Sequence, residues 1–190
     1  MTKIIAFSGP WNTWKSTAIK NVLAALAAEW IRVKLYPESA RVVMEKIWFD
    51  GKNIDFVQFQ QMIHDAEKDR LNEVIADRDS GKYDLIITDR TAIDHMIYYM
   101  VCALDGKMTW DYKQESFTES KLLYDKVLLL TEPIKQNATQ AFQLYNDSIV
   151  PRLFDTVITS YYMDRVVRLR NNRIDENAIV NIVVDYVMWV

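Results

Sequence analysis

Phosphoryl transfer needs a cation for phosphate oxygens, a hydroxyl and a carboxylate around Mg²⁺, a carboxylate for the acceptor hydroxyl and an arginine for transferring charge. Lys15, Ser16, Asp89, Glu38 and Arg90 offer these groups, each shortly after an apolar run. The first of these sites is the stretch Gly9-Pro10-Trp11-Asn12-Thr13-Trp14-Lys15-Ser16-Thr17, which follows Ile4-Ile5-Ala6-Phe7. It fits the phosphate-binding pattern G-x-x-x-x-G-K-[ST] except at one letter, because Trp14 takes the second glycine position. In such a loop the backbone at Gly9, Asn12, Thr13 and Trp14 cradles phosphates and Lys15 reaches the β/γ-phosphates. Ser16 coordinates Mg²⁺, and Thr17 contacts a phosphate further back. A lysine at a helix start opposes the helix dipole unless an anion is there, which favours the phosphate reading over a solvated lysine. Trp14 predicts either backbone strain of roughly 1–3 kcal/mol or a different loop shape.

The second site is Pro37-Glu38-Ser39-Ala40-Arg41 and the third is Asp89-Arg90-Thr91-Ala92-Ile93-Asp94. Glu38 reads as a general base or hydroxyl orienter, or as a loop carboxylate paired with Arg41. Arg41 would face the same way and bind an acceptor phosphate or fix Glu38. Asp89 reads as a Mg²⁺ carboxylate or a helix N-cap. Arg90 orients Glu38 or neutralises phosphate charge, with a surface arginine as the alternative. Asp94 is either a substrate contact or a solvated carboxylate in the first turn of a helix. His64 and His95 lack metal-ligand partners and suit packing or solvent. Tyr98 and Tyr99, with Met96 and Met100, form a packed helix face next to Asp94 that can double as an acceptor-base pocket. Arg165, Arg168, Arg170 and Arg173 are either a solvated strand end or an adenine or phosphate contact.

These residues need a scaffold that brings three loops to one place. Short apolar runs alternate with helical patterns, the mark of βαβ units and a parallel sheet covered on both faces. Strands are predicted over Lys3 to Phe7, Arg32 to Tyr36, Tyr83 to Thr88, Lys126 to Leu130 and Arg165 to Leu169. Helices are predicted over Ser16 to Trp30, Phe56 to Ala76, Thr91 to Leu104 and Asp175 to Val187. One or two more fall between Thr139 and Tyr162, with a break or start near Pro151. Right-handed crossovers place the C-terminal ends of the strands, and hence all three sites, along one sheet edge.

At 190 residues and 50% hydrophobic content, the chain is expected to form a single domain, residues 1–190. A net charge of -3 and a pI near 5.4 supply no global attraction for nucleic acid or an anionic membrane. The lone Cys102 excludes an internal disulfide framework and a cysteine-based metal site. No apolar stretch approaches the roughly 20 residues of a membrane span, and no export signal opens the chain. A soluble, intracellular protein is therefore expected, and a homodimer is compatible with the chain.

The loop, the Pro-Glu-Ser-Ala-Arg after strand two, Phe59-Gln60 in the next helix and Asp-Arg-x-x-x-Asp after strand three together resemble a kinase-like family. The chain is similar to the AAA-type ATPase/kinase domains related to ribosylnicotinamide kinase and, more distantly, to deoxynucleoside and nucleotide kinases, over roughly Lys3 to Tyr99. The resemblance implies an α/β P-loop kinase sandwich with five parallel strands in the order 2-3-1-4-5, with ATP or another nucleoside triphosphate and Mg²⁺ as cofactors. It matches Lys15 and Ser16 to the phosphate and Mg²⁺ residues, Glu38 to the base of the deoxynucleoside kinases, and Asp89-Arg90 to their acidic-arginine pair. An arginine-bearing lid after strand four is not evident. Lys135 is the cation of Thr131 to Phe142, and Arg152 can substitute if its helix folds over the site. Relatives in bacteriophages extend the acceptor range to modified nucleotides and bases in DNA.

The expected function is a Mg²⁺- and nucleoside triphosphate-dependent phosphotransferase acting on a nucleoside, nucleotide or modified-base hydroxyl or phosphate. The alternatives are a degenerate P-loop protein that binds nucleotide with little turnover, and a kinase acting on a base in DNA, which the net charge does not favour.

Overall fold

A computed structural model of the chain describes residues 1–10, 13–47, 56–104, 120–131, 149–169 and 176–188. Five strands, β1 (Lys3–Ser8), β2 (Val33–Tyr36), β3 (Leu85–Asp89), β4 (Lys126–Leu130) and β5 (Val166–Leu169), form one parallel sheet in the order β2-β3-β1-β4-β5. The helices are α1 (Lys15–Ala28), α2 (Ser39–Ile47), α3 (Phe56–Ser80), α4 (Asp94–Leu104), α5 (Ile149–Tyr162) and α6 (Glu176–Met188). The strands fall within two residues of the positions expected from the apolar runs, and their order is the one that the family resemblance implied.

Alternation along each strand sends side chains to opposite faces, and each face meets its own helices. Ile4, Ala6, Ile86, Val127 and Leu129 pack with Leu71 and Val74 of α3, Ile97 of α4 and Phe154 and Ile158 of α5. Ile5, Phe7, Leu85, Ile87, Leu128 and Leu130 pack with Ile19, Val22 and Leu26 of α1 and Ile179 and Val183 of α6. Continuous aliphatic runs in the central strands follow from burial on both faces.

Two helix boundaries have clear local causes. Pro151 lies in the first turn of α5, where a missing N–H costs no intrahelical bond. Upstream of α4, Thr91 and Asp94 form a capping box: the Thr91 backbone N–H donates to Asp94 Oδ1 at 3.1 Å, and the Ile93 N–H donates to Thr91 Oγ1 at 3.3 Å. The regular helix begins at Asp94 rather than at the expected Thr91.

Helix α2 was not expected. Its apolar residues Ala40, Val43, Met44 and Ile47 have helical spacing and dock on Phe59 and Ile63 of α3 in a small separate cluster. Among the described residues, no helix is long and apolar enough to cross a membrane.

Candidate active site

Strand register explains why the three predicted sites meet. Ala6 and Tyr36 both lie level with Thr88 in the sheet, so two residues beyond each of the three the chain reaches Ser8, the last residue of β1, Arg90, just past β3, and Glu38, just past β2, on one row. The loops after β1, β2 and β3 therefore start side by side.

Arg90 joins them. Its Nε donates to Glu38 Oε1, and its Nη1 donates to the Gly9 carbonyl at 2.7 Å and lies 3.5 Å from Asp94 Oδ2. The guanidinium is buried and sits 5.4 Å from the centroid of the Tyr98 ring. Arg90 has φ of 88°, a left-handed conformation that is strained for a residue with a Cβ. Glu38 is thus paired with Arg90, while Arg41 is exposed on α2. Burial pushes the Glu38 carboxyl up, but the charges of Arg90 and Lys15 outweigh it and hold the group below its ordinary range.

Lys15 is buried at the start of α1 and is not a solvated helix-start lysine. Its ammonium donates to the Gly9 carbonyl at 3.1 Å, the Pro10 carbonyl at 2.7 Å and Thr13 Oγ1 at 2.9 Å, which uses all three N–H bonds. Burial, followed by the repulsion of Arg90, lowers its pKa from 10.5 to about 7. Ser16 and Thr17 are exposed in the first turn of α1. Asn12 lies outside the described residues.

Of the two glycine positions, one is demanding and the other is not. Gly9 has φ of 139°, and a Cβ there would stand 1.9 Å from the Leu130 carbonyl oxygen at the end of β4. Trp14, at the N-cap of α1, has φ of -67° and ψ of 14°, outside the left-handed region that favours glycine, and is 43% exposed. The strain expected at Trp14 is therefore absent, because this backbone position does not use glycine's freedom.

Asp89 is buried at the end of β3, and its Oδ1 has no hydrogen-bond partner. Thr91 and Asp94 cap α4, so the N-cap alternative for Asp89 falls away. Burial raises its carboxyl pKa against the lowering effect of Arg90. A buried carboxylate oxygen left without a donor and a hydroxyl exposed in the first turn of α1, at Ser16, are oxygen ligands of the kind that suit a hard, hydrated cation such as Mg²⁺.

Asp94 is fully buried, which overturns its reading as a solvated first-turn carboxylate. It accepts from Ser8 Oγ at 2.8 Å, from the Gly9 N–H at 3.3 Å and from the Thr91 N–H at 3.1 Å. These bonds tie the start of the phosphate loop to α4.

Sequence reading missed Glu67 and Arg70 of α3, both buried against the site. They fall on the same stripe as Ile63, Leu71 and Val74, so two charges on an apolar helix face were the available signal. Gln60, Glu67, His95 and Tyr98 line a cleft whose wall also includes Glu38 and Arg90. His64 and His95 pack with ring centroids 5.7 Å apart, and burial pushes the His95 pKa down to about 3. Tyr98 is buried in the core face as expected, with Met96 packed beside it.

The basic cluster lies elsewhere. Arg165 precedes β5, at the sheet edge opposite the phosphate loop, and donates to the carbonyls of Lys121 at 2.7 Å and Tyr124 at 3.3 Å. Arg168 pairs with Asp155 at 2.6 Å on the surface. Of the two readings offered for Arg165, a strand end and an adenine or phosphate contact, its place before β5 fits the strand end. Arg170, Arg173 and Lys135 fall outside the described residues, and Arg152 is exposed on α5.

The profile of a family described as AAA domain matches residues 4–148, most of the chain. No curated protein sequence matches significantly. Among solved structures, thymidylate kinase from Ehrlichia chaffeensis superposes with a TM-score of 0.64 at 15% identity, covering 97% of both chains. That likeness, with the strand order, establishes the α/β P-loop kinase fold.

Proposed function

The chain belongs to the AAA domain family, and from that premise we propose that it is a Mg²⁺- and nucleoside triphosphate-dependent phosphotransferase, ATP being the simplest donor. The acceptor is a hydroxyl or phosphate of a nucleoside, nucleotide or modified base. The observation that carries this reading is the junction at Arg90, where one buried guanidinium contacts both the phosphate loop at Gly9 and the carboxylate Glu38. A donor phosphate held at the loop and an acceptor held at Glu38 are then neighbours, which is the entropic core of phosphoryl transfer.

In this reading Gly9, Asn12, Thr13, Trp14 and Thr17 contribute the loop that faces the donor phosphates, and Lys15 moves from its loop oxygens onto them. Ser16 and Asp89 would hold Mg²⁺, which when bound offsets charge on the phosphate oxygens. Glu38 is kept ionised by Arg90 and Lys15 and takes the proton of the acceptor hydroxyl. The acceptor oxygen forms a bond to the γ-phosphorus, the bond to the β–γ bridging oxygen breaks, and the diphosphate leaves. Arg90 offsets charge on the group in flight, Asp94 fixes the loop that Arg90 touches, and Arg41 is the cation available to an acceptor phosphate. The whole chain acts as one domain inside the cell.

Binding without turnover, the alternative suggested by Trp14 and by the missing lid arginine, loses the first of these motives, because Trp14 does not occupy a left-handed backbone. Calorimetry of MgATP binding to the wild type and to Lys15→Ala tests the donor site, and ADP release over a panel of nucleosides, nucleotides and modified DNA tests turnover. Acceptor-dependent ADP release is expected, with binding weakened by Lys15→Ala. Absence of MgATP binding contradicts the reading.

A further inference from the structure

We propose that Arg70 of α3 is a positioning residue for the transfer site, fixing the backbone that presents Glu38 and Arg90 to each other. The proposal rests on the phosphotransferase reading for its kinetic consequences, whereas its geometry stands alone. Arg70 Nη1 donates to the Asp89 carbonyl at 3.1 Å and the Pro37 carbonyl at 3.4 Å. Its Nη2 donates to the Arg90 carbonyl at 3.1 Å and to Glu67 Oε1. Ser39 Oγ in turn donates to Glu67 Oε2 at 2.6 Å. Glu38 is therefore flanked by two tethers to α3, one at Pro37 through Arg70 and one at Ser39 through Glu67.

These carbonyls lie at or beyond the strand ends, where the sheet ladder offers no further donors, and a buried carbonyl needs a partner. A planar guanidinium carries five donors in a rigid fork and so serves several at fixed angles, whereas an ammonium is a compact charge with three rotatable donors. The arrangement matters most for Arg90. Its left-handed backbone, φ 88°, is a conformation a non-glycine residue keeps only when its surroundings dictate it. Its N–H is held by the Phe7 carbonyl at 2.8 Å and its carbonyl by Arg70, so the residue is pinned on both sides. From that backbone the guanidinium reaches Glu38 and Gly9. A buried ion pair is in general no better for stability than an apolar pair of similar shape. Its distinctive consequence at this place in α3 is orientation.

The test uses the full chain with Arg70→Lys, Ser39→Ala and, as a control on the same buried stripe, Val74→Ala. Phosphate transfer from γ-labelled ATP to a pool of deoxynucleosides and their monophosphates is followed against pH, and amide exchange is followed by mass spectrometry. Arg70→Lys is expected to lower kcat by about 30-fold with the KM for ATP within about 2-fold, in the range seen when supporting groups of a site are removed. The acid limb of the rate profile is expected to move to higher pH, because a displaced Arg90 holds the Glu38 charge less well; Lys15 and Arg41 also act on that carboxylate, and Asp89 interacts with it. Exchange should rise at residues 89–91. Ser39→Ala should shift kcat and the acid limb the same way by less, and it carries the test if Arg70→Lys does not fold. Val74→Ala should lower the melting temperature and leave the kcat and pH profile unchanged.

Wild-type kcat and pH profile in Arg70→Lys or, if that variant does not fold, in Ser39→Ala, or the same kinetic changes in Val74→Ala, overturn the proposal. If the wild type itself transfers no phosphate, the phosphotransferase reading fails, and the exchange pattern alone decides the positioning role: unchanged protection at residues 89–91 overturns it, and selective loss there supports it.

Discussion

The Gly9 carbonyl accepts two cations, Arg90 Nη1 at 2.7 Å and Lys15 Nζ at 3.1 Å. One backbone oxygen of the phosphate loop is thus the meeting point of the residue that follows β3 and the residue that opens α1. Arg90→Ala removes the bond from β3's side and leaves the buried carboxylates of Glu38 and Asp94 without their shared cation. Breaking a buried pair this way costs about 3–5 kcal/mol. Urea denaturation is expected to register that loss alongside the loss of phosphate transfer, and unchanged stability would show that the junction is not a structural element.

The two glycine positions of the loop should respond in opposite ways. Gly9→Ala drives a Cβ into the Leu130 carbonyl in a backbone conformation that L-residues avoid. A loss of about 3 kcal/mol, near 6–12 °C in melting temperature for a chain of this size, is expected. Trp14→Gly relieves no left-handed strain, because Trp14 has a negative φ and is the N-cap of α1, where glycine is tolerated. Its melting temperature should move by less than about 3 °C. MgATP affinity should not improve by tenfold or more; a gain of that size would mean that the indole obstructs the loop.

Asp89 carries a conflict between stability and use. Burial raises its pKa and its Oδ1 has no donor, so the ionised group is a burden on the fold. Asp89→Asn should keep or raise the melting temperature while weakening the Mg²⁺ dependence of nucleotide binding by about 10–100-fold, measured by titrating Mg²⁺ at fixed ATP. A variant that is less stable and binds MgATP normally would contradict the assignment.

Lys15 should make nucleotide binding a proton-linked event. Its pKa near 7 in the free protein results from burial, and phosphate charge favours the protonated form. Between pH 7 and 10.5, binding therefore takes up a proton that the free protein has released. At pH 8 this amounts to about 0.9 proton, falling toward about 0.1 at pH 6. Calorimetry in two buffers of different ionisation enthalpy measures it. Absence of uptake at pH 8 would mean that Lys15 is already charged before the nucleotide arrives.

The strands and the meeting of the three loops were legible in the sequence because each follows from a local signal, whereas the sheet order came from the family resemblance. Continuous apolar runs marked the buried strands, and the chemistry-bearing residues stood just past their ends. What was not legible depended on contacts between distant segments. Glu38 had both Arg41 and Arg90 as candidate partners, and only the sheet register decides for Arg90. Asp94 read either as a substrate contact or as an exposed first-turn carboxylate, because nothing local announces that Ser8 and Gly9 converge on it. Trp14 looked strained because the motif alone does not say which of its glycines needs a left-handed backbone. Glu67 and Arg70 left a trace, as charges on the apolar stripe of α3, whose meaning required knowing what that stripe covers.

The most direct measurement is phosphate transfer from γ-labelled ATP to nucleoside and nucleotide acceptors by the wild type and by Glu38→Gln, with MgATP affinity determined on the same samples. Wild-type transfer is expected, with kcat in Glu38→Gln reduced by about 10²–10⁴-fold, as for loss of a general base, and MgATP affinity within about 3-fold. Transfer by Glu38→Gln at the wild-type rate, or a wild type that binds MgATP and labels no acceptor, would contradict it.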